Sequence, residues 1–185
     1  MLFASCTVGL AATAGELIAV DVSHSRGVYR LTSVTQFSAP PQAVFAVLAD
    51  YEGFTRISSA IVASGVLDAS PADDVVRVYT TVRGCVLFFC RAIERVERLY
   101  LSPHEAIRTR VEPALSDLRE GASHWRFTAL DDGGTRVDFE MEMTPDFWIP
   151  PLIGPALVKR RLLNDGMRAV ARIDALAQER AQVMR

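Results

Sequence analysis

Apolar and polar residues alternate along Thr135–Thr144, where Val137, Phe139, Met141 and Met143 face one way and Arg136, Asp138, Glu140 and Glu142 the other. Alternation of this kind marks a strand with one buried face. Trp125 and Phe127 oppose His124, Arg126 and Thr128 in the same manner, and Val76, Val78, Thr80 and Val82 oppose Arg77 and Tyr79. The resulting sheet has one wet face and one covered face. Strands are predicted over Gly27–Phe37, Ile61–Leu67, Val75–Val82, Cys85–Arg98, Glu105–Val111, Ser123–Leu130 and Thr135–Thr144. Turn residues separate them, among them Arg83-Gly84, Ser102-Pro-His104 and Asp131-Asp-Gly-Gly134. Short consecutive strands with tight connections read as an antiparallel meander.

Two helical segments interrupt and close this pattern. Pro40-Pro41 opens a short helix over Gln42–Ala49, with Val44, Phe45, Val47 and Leu48 on one stripe, and a broken second turn follows around Gly53. The last strand runs into a stiff aromatic hinge, Pro145–Pro155, and then a long amphipathic helix to about Gln178. Its stripe of Ile153, Leu157, Leu163, Met167, Val170, Ile173 and Ala177 is expected to cover the sheet. The sum is a single-domain α+β fold over residues 15–185, a curved antiparallel sheet wrapped around a long C-terminal helix. Such an arrangement encloses an apolar hollow suited to greasy ligands.

With 185 residues, half of them hydrophobic, the chain buries a full core. A net charge of −2 gives no electrostatic case for nucleic acid. Met1–Ala14 is uncharged, and Ala12-Thr-Ala14 offers the small-x-small pattern of a signal peptidase site before Gly15, although a basic leader is missing. The segment thus reads as an export signal to the periplasm, or else as a buried N-terminal element of a cytoplasmic protein. Phe3-Ala-Ser-Cys6 also resembles a lipoprotein box loosely.

Cys85 and Cys90 lie an odd number of residues apart in one apolar strand, so they are expected on opposite faces as small buried hydrophobes, unable to bridge without a bulge. Neither they nor His24, His104 and His124 have metal-ligand or triad spacing, so no metal, cofactor or catalytic set is expected.

Certain segments carry a resemblance. Ala39-Pro-Pro-Gln-Ala-Val-Phe-Ala-Val-Leu-Ala-Asp-Tyr-Glu-Gly-Phe54 resembles the opening of START-like proteins (the SRPBCC superfamily) of the polyketide cyclase and coenzyme-Q-binding group. Ser123-His-Trp-Arg-Phe, Gly134-Thr-Arg-Val and Pro145-Asp-Phe-Trp-Ile-Pro-Pro151 are similar to the closing strands and final helix entry of bacterial members. The likeness spans about residues 28–178 and implies the helix-grip fold, with a deep pocket for lipids, quinones, isoprenoids or polyketides. Cyclases of this group use polar side chains inside the pocket, and no convincing set maps onto this sequence.

The cavity wall is therefore expected to be Val78, Thr80, Phe88, Trp125, Phe127, Phe139, Met141 and Met143, an adaptable Met and aromatic stripe. The alternative for each is an ordinary packed core. Phe147 and Trp148 sit at the expected mouth, where they gate the pocket, touch a membrane surface beside Lys159-Arg-Arg161, or simply pack as a hinge. The leading expectation is a protein that binds a hydrophobic small molecule without changing it, with transport of that molecule as the extension of this reading. A cyclase or aromatase, which needs titratable groups in the hollow, and a toxin-like protein-interaction module, which needs a cytoplasmic chain, are the rival readings.

Overall fold

The computed structural model describes residues 15–70, 75–86, 89–149 and 154–184. The chain runs β1 (Glu16–Ser25), β2 (Val28–Phe37), α1 (Pro41–Leu48), a 3-10 helix (Tyr51–Arg56), β3 (Ile61–Ser70), β4 (Val75–Val86) and β5 (Phe89–Ser102). It continues through β6 (Ala106–Val111), a second 3-10 helix (Pro113–Leu115), β7 (Leu118–Ala129), β8 (Thr135–Pro145) and α2 (Gly154–Val183). All strands join one antiparallel eight-stranded sheet in the order β1-β2-β8-β7-β6-β5-β4-β3.

The sheet, the long closing helix and the meander are those the alternation implies, with one strand more. β1 escapes a period-2 reading because Val22 alone of its ten residues is buried, and its register also slips between Leu17 and Ala19. It pairs with β2 through the turn Arg26-Gly27, where both residues have positive φ (52° and 83°), the conformation a tight hairpin requires. β3, at the other edge, slips twice, between Ile61 and Ala63 and between Val66 and Asp68. Glu52 Oε1 accepts the Val66 backbone N–H there at 3.1 Å.

One expected turn is misplaced. Strand β4 continues through Arg83-Gly84 to Val86, which pairs with Phe89, so the chain reverses between those two residues. Cys85 and Cys90 consequently stand opposite each other on neighbouring strands, Cα atoms 4.0 Å apart, and form a disulfide. The sequence expectation of opposite faces on one strand is overturned, because parity rules hold only within a strand and this pair straddles a hairpin.

The core lies where α1 and the second half of α2 meet the sheet. Val44, Phe45, Val47 and Leu48 pack with Phe37, Val78, Leu99, Ile107, Phe127 and Val137 from the strands and with Val170, Ile173 and Ala177 from α2. Phe45 meets Phe127 edge-on, their ring centres 5.5 Å apart. The expected cover is only half realised. Val170, Ile173 and Ala177 are buried, whereas no residue of 156–169 is, and Met167 is 54% exposed. The first half of α2 therefore leaves the concave face beside β7 and β8 half open.

Two polar anchors fix the second half of α2. Asp174 accepts hydrogen bonds from the Gly15 and Ser38 backbone N–H groups, the Ser38 hydroxyl and the Gln178 amide. Arg180 pairs with Asp50 and donates to the Ala46 carbonyl. Asp50 in turn caps the first 3-10 helix through the Gly53 N–H.

A polar floor and an apolar wall on the concave face

Strand pairing carries one set of side chains across the concave face. Phe139 stands opposite Trp125, Met141 opposite Ser123 and Met143 opposite Gly121. Trp125 and Phe139 stack with ring centres 3.8 Å apart and an interplanar angle of 28°. Each of Trp125, Phe139, Met141 and Met143 is half-buried. Together they form an apolar wall that protein atoms cover on one side only.

Next to this wall lies a polar floor built from β4, β5, β6 and β7. Thr80 pairs in register with Arg95, Val78 with Glu97 and Glu97 with Val111. Arg95 Nε lies 2.9 Å from Glu97 Oε2 and donates to Thr80 Oγ1 at 3.3 Å. The Thr109 hydroxyl donates to Glu97 Oε1 at 2.7 Å, and its oxygen lies 2.8 Å from Ser123 Oγ. Glu97, Thr80 and Thr109 are buried, at 3%, 1% and 4% exposure. A charge this deep needs both a counter-ion and hydrogen bonds, and Glu97 has both. Tyr51 of the first 3-10 helix closes the same corner. Burial drives its hydroxyl pKa upward, the Glu97 charge adds to the rise, and Arg95 opposes it. The phenol therefore stays protonated at any physiological pH.

A narrow cleft joins floor to wall. Arg95, Glu97, Val111, Ser123, Met141 and Met143 line it, and it is nearly closed, with about 10 Å³ of internal space, room for a single water. Gly121 keeps it clear, since a Cβ there would lie 2.6 Å from Val111 Cγ2. Drug-sized ligands fill roughly 300–1,000 Å³, so a larger guest must push the cleft apart. Unbranched methionines are well suited to being displaced in that way.

The ten expected binding residues fall into separate places. Val78 and Phe127 are packed within the core, and Thr80 belongs to the polar floor. Trp125, Phe139, Met141 and Met143 are the apolar wall. Phe147 is half-buried under the Arg91 guanidinium, 4.8 Å from its ring centre, and Trp148 is 77% exposed. Phe88 lies outside the described residues.

Arg95, Glu97, Thr109, Ser123 and Tyr51 were missed. A signal existed, because Arg95 and Glu97 share strand parity with Ile93, Leu99 and Leu101 and so form a charged island on an apolar face. Elsewhere among the described residues no group of His, Cys, Asp and Glu is placed to hold a metal ion. No helix among them is long and apolar enough to cross a membrane.

The architecture is shared with solved structures. The Zhui aromatase/cyclase of Streptomyces sp. R1128 superposes with a TM-score of 0.67 at 16% identity, covering 83% of this chain and 95% of that one. A START superfamily protein from Mycobacterium smegmatis gives 0.64 at 11% identity, over 80% and 98% of the two chains. Human STARD10 gives 0.62 at 10% identity, over 86% and 73%. Comparison with curated proteins finds no match. The family model described as polyketide cyclase / dehydrase and lipid transport matches residues 29–179. The helix-grip fold is shared with those structures, and the match over most of its length places this chain in the family described as polyketide cyclase / dehydrase and lipid transport.

Proposed function

We propose that the protein binds a hydrophobic small molecule that carries one polar group. The apolar body lies along Trp125, Phe139, Met141 and Met143, and the polar group reaches the floor at Arg95 and Ser123. The observation that carries this reading is the single cleft that Arg95, Glu97 and Ser123 share with Met141 and Met143. Arg95 uses its Nε on Glu97 and Thr80, and its terminal guanidinium nitrogens, without a hydrogen-bond partner among the described residues, would meet a carbonyl, phenolate or carboxylate oxygen. Apolar burial supplies most of the affinity, at about 25 cal/mol per Å² before ordering costs. A lipid, a quinone or an isoprenoid with an oxygenated end has this shape.

Native mass spectrometry of protein purified gently from its own host, followed by organic extraction, tests the reading. A stoichiometric amphiphile would support it. A guest without any oxygen function, or an apo-protein that takes up no quinone or fatty acid when offered, would count against it.

A second reading, cyclisation or dehydration of a polyketide chain, is favoured by one observation. The concave face is not purely apolar, since it holds Arg95, Glu97 and Tyr51 near one another. Turnover of a poly-β-ketone thioester that is abolished by Glu97→Gln in a folded variant would establish it. Unchanged product in that variant would exclude these groups from the chemistry.

A further inference from the structure

Asp174 lies in the middle of α2 and is 2% exposed, yet the groups that bond it are neutral. Both of its carboxylate oxygens accept hydrogen bonds. No Arg, Lys or His among the described residues pairs with it, and Arg180, further along α2, is committed to Asp50. A buried carboxylate without a counter-charge is costly.

The Gly15 nitrogen lies 3.0 Å from Asp174 Oδ2. No side chain fits at that position, because a Cβ would stand 2.9 Å from Asp174 Cβ and 3.1 Å from Phe37 Cδ1. The residues just before it are Ala12-Thr-Ala14, the small-x-small pattern that signal peptidases cut after. A separate observation points to the same compartment. The Cys85–Cys90 disulfide is a bond that forms and persists outside a reducing cytosol.

We propose that the chain is exported and cut between Ala14 and Gly15, and that the α-ammonium freed at Gly15 forms an ion pair with buried Asp174. Water adds across the Ala14–Gly15 peptide bond, leaving a carboxylate on Ala14, and the Gly15 nitrogen takes up a proton to become the ammonium. No electrons are transferred, and a signal peptidase is the only catalyst required. The cut precedes folding, so the later packing of half-buried Gly15 against Asp174 and Phe37 does not obstruct it. A neutral amide donor then becomes a charged one at the same position, and charge-assisted bonds are about twice as strong. Maturation thereby latches β1 and β2 to α2, independently of any ligand.

The first test is the intact mass and N-terminal peptide of the protein from its host. A mature chain beginning at Gly15 is expected, and any other first residue overturns the proposal. The second is a cycle in which the chain beginning at Gly15 and the uncut chain are each compared with their Asp174→Asn variant by urea unfolding. The substitution should reduce the folding equilibrium constant at least tenfold more in the cut chain. Equal losses overturn the ion pair.

The pH response gives an independent readout. A free α-amine has a pKa of about 8. Pairing raises it in the folded state, so its stabilisation is complete below that value and is lost as pH rises through the raised folded value. The cut chain should weaken there while the uncut chain does not. If Asp174→Asn fails to fold, amine acylation of the unmutated cut chain replaces it. Gly15 should react several-fold more slowly folded than in denaturant, and equal rates overturn the pair.

Discussion

Ser38 gives Asp174 both of its donors, with the backbone N–H 2.9 Å from Oδ1 and the hydroxyl 3.0 Å from each carboxylate oxygen. Ser38 sits between β2 and α1, so one residue ties the start of the helical pair to the closing helix. Ser38→Ala removes the hydroxyl and leaves a buried carboxylate short of a partner, which costs about 1–3 kcal/mol. Urea unfolding should show that loss, with the slope of the transition unchanged.

Trp125→Ala or Phe139→Ala removes half of the stacked pair on the apolar wall. Ligand affinity should fall about tenfold or more, given the area and stacking lost. Arg126→Glu, on the exposed face of the same strand, should change it little. Titration with the extracted ligand checks this, and equal losses from both kinds of change in folded variants would sink the proposed wall.

Arg95→Leu strands Glu97 in the interior with Thr109 as its remaining side-chain partner. Removing one member of a buried pair costs about 3–5 kcal/mol, whereas replacing both by apolar groups is often neutral. The double variant Arg95→Leu/Glu97→Leu should therefore be more stable than Arg95→Leu alone. It should also lose any preference for a guest with an oxygenated end. Thermal melts and competition binding would separate the two effects.

His124 lies between Arg108 and Glu140 on neighbouring strands, and its buried Nε2 has no hydrogen-bond partner among the described residues. Burial holds its pKa below the ordinary value, the Arg108 and Arg126 charges lower it further, and Glu140 opposes them. The folded state then binds a proton less readily than the unfolded chain. Stability is complete above about pH 6.5 and is lost as pH falls from there towards the folded value. His124→Gln should flatten the melting temperature between pH 5 and 7.

Reduction of the Cys85–Cys90 bond, or Cys85→Ser with Cys90→Ser, opens a very short loop. Chain entropy assigns such a loop about 2 kcal/mol. Melting with and without reductant should differ by that amount in the native chain and not at all in the double serine variant.

The sheet could be read from the sequence because alternation such as that of Val137, Phe139, Met141 and Met143 is a local property. The short helix was equally legible from Pro41 and its apolar stripe. What could not be read depends on pairing. Cys85 meets Cys90, and Thr80 meets Arg95, only once the β4–β5 hairpin sets its register. The charged island at Arg95 and Glu97 looked like surface because neighbours such as Glu94 and Arg98 are also charged. The α2 stripe implied a complete cover, but periodicity says which face is apolar and not how closely it is approached.

Both outer strands of the sheet carry register slips, and at β3 the Val66 N–H is already taken by Glu52. Those strands also expose Ile18, Val20, Val62, Val66 and Leu67. A straight rail with such residues would invite other chains to add to it and grow into fibres. Kinked at either end, neither border offers an unbroken ladder to copy, and growth of the sheet stops at eight strands.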